Sequence, residues 1–135
     1  MNLKNKDKNV LTLAYIGDAI YELLIRTYLI NKGTYKVNDL QHMAIEFVSA
    51  KAQSMYLEKI MSLNILTKVE EEIILRARNN KASRHPKNTD ILTYKHATAL
   101  EALFGYLYLE KDYERINLLL KNIVGEEICI YTEKM

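Results

Sequence analysis

Scarcity of chain-breaking residues constrains this chain more than any other feature. Only four glycines and one proline occur in 135 residues, so positions suited to tight turns are few. Leu, Ile, Ala, Lys and Glu dominate instead, as in helical proteins. The expectation is an all-α fold. With 49% hydrophobic residues, the chain can bury one sizeable core, which predicts a single domain over residues 1–135.

Helical periodicity divides the chain. Leu13, Ile16, Ile20, Leu23, Leu24 and Ile30 recur at helical spacing from Val10 to Ile30, and Gly33 supplies a stop. Asn38 or Asp39 is expected to cap a short second helix through Leu40, Met43 and Phe47, and Ser49 a third that runs to about Leu63. Thr67 and Glu70 have the spacing of a capping box, opening a helix that frays near Asn79 and Asn80. Lys81 to Asp90 reads as a loop. A second long helix is expected from about Thr93 to Glu110, and a last one from Tyr113 to Val124, ended by Gly125.

Within the first helix, Leu11, Ala14, Asp18 and Glu22 fall on one stripe, so the two acids lie one turn apart on a shared face. Asp18 stands in an apolar run, where a carboxylate must be paired, metal-bound or at a rim. Gly17 and Gly105 each sit in the interior of a long helix, at a cost of roughly 1 kcal/mol relative to alanine, which suggests a packing reason. Small residues flank both Asp18 and Glu101. If these faces meet, the backbones approach closely and the two carboxylates stand opposite each other. They then repel unless a proton or cation lies between them, and oxygen ligands without His or Cys suit a hard ion such as magnesium. The plainer alternative leaves Asp18 paired with a nearby Arg or Lys and the glycines as packing residues only.

The formal net charge is +2, from 19 basic and 17 acidic residues, so bulk charge neither demands nor excludes a nucleic-acid partner. Distribution is more informative. From Arg76 to Thr89 the chain carries basic residues and one His, interleaved with Asn, Ser and Thr, and no acid. Such a mixture offers charge for phosphates and neutral donors for sugar hydroxyls, although a solvated surface has the same composition. The lone Cys129 removes an intrachain disulfide framework or Cys-rich zinc site and fits a reducing cytosol. The lysine-rich start and the lack of a bilayer-length apolar run predict a soluble, cytoplasmic protein with no membrane partner.

Leu13-Ala14-Tyr15-Ile16-Gly17-Asp18-Ala19-Ile20-Tyr21-Glu22 resembles the signature helix of the ribonuclease III family, and Glu101-Ala102-Leu103-Phe104-Gly105-Tyr106-Leu107-Tyr108-Leu109 its second metal-binding helix. Val48-Ser49-Ala50-Lys51-Ala52-Gln53, Arg76-Ala77-Arg78-Asn79 and Pro86-Lys87-Asn88-Thr89-Asp90 are similar to the Mini-ribonuclease III branch in particular. The resemblance implies the helical bundle of the ribonuclease III endonuclease domain. It also implies a homodimeric endonuclease for double-stranded RNA that leaves 3′-hydroxyl and 5′-phosphate ends, with maturation of the large-subunit (23S) ribosomal RNA precursor as its expected task. Asp18 and Glu101 inherit the catalytic, metal-binding role, for magnesium with manganese as a substitute. The Mini branch lacks a separate double-stranded-RNA-binding domain, and so is this chain expected to. RNA contacts are therefore expected from Lys51, Arg76, Arg78, Asn79, Lys81, Arg84, Lys87, Asn88 and Thr89.

The departures are informative. Leu11, Ala14 and Thr98 stand where typical family members carry further acids, which predicts weak metal binding without substrate and leaves the role of Glu22 open. The missing acids also admit an alternative function, a non-catalytic dimer that binds double-stranded RNA. A third reading is a helical scaffold for another protein, which would have no RNA affinity. Tyr15 on the signature helix is the expected dimer contact.

Overall fold

The computed structural model describes residues 3–33, 35–81 and 90–126. Among them the regular structure is entirely helical: a 3-10 turn at Asn5–Asp7, then α1 (Val10–Lys32), α2 (Val37–Val48), α3 (Ala50–Ser62), α4 (Lys68–Arg78), α5 (Ile91–Leu109) and α6 (Tyr113–Val124). This is the helical bundle expected from the sequence. Among the described residues, no helix is long and apolar enough to cross a membrane.

α5 is the axis of the molecule. It packs most heavily on α1, then on α3 and α4, and from His96 to Leu107 only Glu101 and Tyr106 escape full burial. A helix apolar on all sides belongs in a core. Leu100, Leu103, Phe104 and Leu107 meet Leu13, Tyr21, Leu24 and Ile25 of α1 in one hydrophobic cluster. Tyr21 is fully buried, with its ring edge against Phe104 at a centroid distance of 5.3 Å and its hydroxyl donating to the Phe47 carbonyl at 2.8 Å. The one side chain thus joins α1 to α5 and to the end of α2, and its buried hydroxyl has the partner such a group requires.

Caps account for most helix starts. Asn9 caps α1, Ser49 caps α3, and Thr67 and Glu70 form the expected reciprocal capping box of α4. Glu70 has a second task. Its carboxylate is 1% exposed and receives the Arg115 guanidinium of α6, with Nε to Oε2 at 2.9 Å. Because Arg115 also donates to the Ile65 carbonyl, the start of α4 and the first turn of α6 are locked together by charge-assisted bonds.

Two helix starts differ from the sequence reading. α2 begins at Val37, before Asn38 and Asp39, and Lys36 at its N-cap makes no side-chain capping bond. α5 begins at Ile91 because Asp90 caps it, accepting from the Thr93 amide at 2.9 Å. Gly33 ends α1 in an extended conformation, whereas Gly125, at φ +80°, ends α6 in the left-handed region that favours glycine.

Candidate active site

Where α1 crosses α5, the main chains touch. A Cβ at Gly17 would overlap the Glu101 carbonyl and lie 2.9 Å from the Gly105 nitrogen, and one at Gly105 would overlap the Leu13 carbonyl. Each glycine is therefore required by the backbone of the facing helix. Residue 18 of α1 and residue 101 of α5 border this crossing, so their carboxylates are brought within hydrogen-bonding reach of one another. Side chains some eighty positions apart in the chain thus form one acidic pair.

The two members of that pair live in different surroundings. Asp18 is exposed, while Glu101 projects from the central helix and is mostly buried. Desolvation first, then the negative charge of Asp18, pushes the Glu101 carboxyl up to about 8 from an ordinary 4.5. Glu22, one turn after Asp18, adds a smaller push in the same direction. Its own carboxylate is half exposed and pairs with Arg26 at 3.5 Å, which places it at the rim.

Gln53 was not among the site residues expected from sequence, yet α3 delivers it here. It is 3% exposed, its amide nitrogen donates to the Val48 carbonyl at 3.0 Å, and its side chain is close enough to Glu101 to favour the charged form of that carboxyl. Its carbonyl oxygen is buried with no partner. Nothing in its residue type marked it, since a glutamine is ordinarily a surface residue. The available signal was the spacing of Gln53 with the apolar Leu57 and Ile60, which puts it on the buried face.

These residues fit a hard cation. The donors are oxygens only, the two carboxylates repel, and Gln53, the neighbour of Glu101, has an unsatisfied amide oxygen. Among the described residues no three His, Cys, Asp or Glu side chains gather as a metal-binding group. Two of the three positions that lack the further acids are closed: Ala14 and Thr98 are 7% and 5% exposed, and the Thr98 hydroxyl donates to the Tyr94 carbonyl at 2.9 Å, while Leu11 is half-buried. Two carboxylates would leave most of an octahedral shell to water and substrate.

The basic residues expected at RNA are spread over several elements. Lys51 is exposed in the first turn of α3. Arg78 lies in the last turn of α4, Asn79 is the exposed C-cap of that helix, and Lys81 follows it, also exposed. Arg76 differs from these, because its guanidinium donates to the Lys6 and Lys8 carbonyls and so clamps the N-terminal segment. Arg84, Lys87, Asn88 and Thr89 lie outside the described residues.

Comparison with known proteins gives the same picture by another route. The ribonuclease III domain matches residues 11–112. A Mini-ribonuclease 3 of Staphylococcus aureus is 45% identical over 116 residues, covering 86% of this chain and 87% of its own. Another, of Brevibacillus brevis, is 47% identical over 108 residues, covering 80% and 79%. A crystal structure of a Fusobacterium nucleatum protein superposes with a TM-score of 0.81 at 35% identity, over 92% of this chain and 99% of that one.

Proposed function

The chain belongs to the ribonuclease III family and is an endoribonuclease, and from that premise we propose that it cleaves double-stranded RNA using magnesium held by Asp18 and Glu101, with manganese able to substitute. The observation that carries this reading is the acidic pair itself, in which burial first and the adjacent Asp18 second push the Glu101 carboxyl up to about 8. As pH rises toward 8 such an arrangement costs the folded protein stability, and perturbed groups of this kind gather at functional sites.

When bound, the ion supplies an acidified water for attack and positive charge beside the phosphate. The protein's own part is placement. Glu101 must release its proton to act as a ligand, and Asp18, open to solvent, meets the substrate side of the site. With so few protein ligands, ion affinity without RNA is weak, and phosphate oxygens complete the shell. The products carry 3′-hydroxyl and 5′-phosphate ends.

An exposed stripe on α1 supports a homodimer. Tyr15, Leu23 and Ile30 are 83%, 53% and 56% exposed, and with Ala19 they follow one another at helical spacing beside Asp18. Apolar groups so arranged call for a cover. A second copy related by a twofold axis provides it and presents two acidic pairs to the two strands of a duplex. RNA is held by Lys51, Arg78, Asn79 and Lys81, together with Arg84, Lys87, Asn88 and Thr89; Arg76, engaged by the N-terminal segment, contributes less. By resemblance to the Mini branch, the substrate is the large-subunit ribosomal RNA precursor and the setting the cytoplasm.

Asp18→Asn tests the reading. The variant should remain folded and bind duplex RNA, while magnesium-dependent cleavage falls by several orders of magnitude. Full residual cleavage would remove Asp18 from the chemistry, and a wild-type protein that binds duplexes without cutting them would make it a binding module instead.

A further inference from the structure

Gln53 combines three properties rarely found together: near-complete burial, one amide hydrogen bond to its own chain, and a carbonyl oxygen with none. A buried amide oxygen left unsatisfied costs roughly 1–3 kcal/mol. Rotating the amide by half a turn gives no relief, because the carbonyl oxygen would then face the Val48 carbonyl that the nitrogen now serves. Val48 therefore dictates which way the amide points. Of the two amide hydrogens, one is taken by Val48 and the other is available to the Glu101 carboxylate within its reach.

We infer that Gln53 is a positioning residue of the acidic pair, its amide nitrogen orienting the Glu101 carboxylate and its free carbonyl oxygen accepting a hydrogen bond from a water of the hydrated cation. The inference rests on the metal-site reading of Asp18 and Glu101. It gives the unpaired oxygen a partner that arrives only with the ion, since a hydrated divalent cation brings donors and the carboxylates bring none. A side chain that orients a ligand in this way contributes through another residue, and removing one lowers metal affinity or activity by about 10- to 100-fold.

Manganese binding followed by electron paramagnetic resonance on the RNA-free protein provides a readout independent of turnover. Gln53→Met keeps the length of the side chain and removes both hydrogen-bonding groups. It should weaken manganese binding by about 10- to 100-fold, lower kcat on a duplex RNA by a similar factor and leave KM for the RNA within about twofold of wild type. Wild-type manganese affinity in a folded Gln53→Met protein would overturn the inference. Asp18→Asn measured alongside separates the two layers: if it too binds manganese normally, the metal site is elsewhere, whereas if it alone loses the ion, only the role of Gln53 fails. Should Gln53→Met not fold, a manganese-soaked crystal of the wild-type protein decides. A water bridging the Gln53 carbonyl oxygen to the ion is the expected result, and an ion with no such water sinks the proposal.

Discussion

At the scale of the residue, Glu101 governs how the protein responds to pH. Its folded-state value of about 8 lies above the unfolded 4.5, so the native state binds the proton more tightly. This group's contribution to stability is therefore complete below pH 4.5 and is lost as pH rises toward 8. Without divalent ions, denaturant titrations between those limits should show stability falling with pH by up to about 1.4 kcal/mol per unit. In Glu101→Gln that fall should vanish, and a parallel decline in the variant would assign the effect to another group. Asp18 stood out in the sequence because an acid inside an apolar helical run contradicts its neighbours, and Glu101 because small residues follow it within about one turn. Gln53 did not, since a neutral amide announces no conflict until its burial is known. Nor could Arg76 be told from Arg78 by composition: one side chain closes on the N-terminal carbonyls, and nothing in an unbroken basic run marks which.

At the scale of the element, the crossing of α1 and α5 fixes the site. Alanine is preferred to glycine in a helix by about 1 kcal/mol, so an isolated helix would gain from Gly17→Ala. Here the new methyl would enter the space of the Glu101 carbonyl. The helices must part, and we expect a net loss of about 3 kcal/mol or more, seen as a lowered denaturation midpoint together with impaired cleavage. Unchanged stability would show that the main chains do not touch as described. The interior glycines were readable as packing residues, and the crossing is the packing they serve. Two helix starts were readable from their capping side chains, Ser49 and Thr67. α2 escaped because no side chain caps it, and α5 because the cap, Asp90, closes a stretch that reads as loop. The Glu70–Arg115 lock, forty-five positions apart, has no local signature, because a capping glutamate reads the same whether or not a distant arginine reaches it.

At the scale of the whole molecule, two surfaces carry the proposed assembly. Tyr15→Glu puts a charge on the α1 stripe; light scattering should report a dimer for the wild type and a monomer for the variant, with the helical circular-dichroism signal retained. A variant that stays dimeric would move the contact elsewhere. Neutralising Arg78, Lys81, Arg84 and Lys87 together should weaken duplex binding and reduce the slope of log affinity against log salt by up to about 3–4. An unchanged slope would send the RNA to another face. Neither surface could be derived from charge totals, since a balance of +2 is compatible with many distributions. The helical class followed from the shortage of glycine and proline, whereas the placement of α5 at the centre required knowing which of its residues are covered.

The glycine-to-glycine contact between α1 and α5 has one more consequence. The gap between the acids is gauged by peptide units, whose dimensions do not vary from one sequence to another, so substitutions elsewhere in the interior can alter melting behaviour without resetting the jaw.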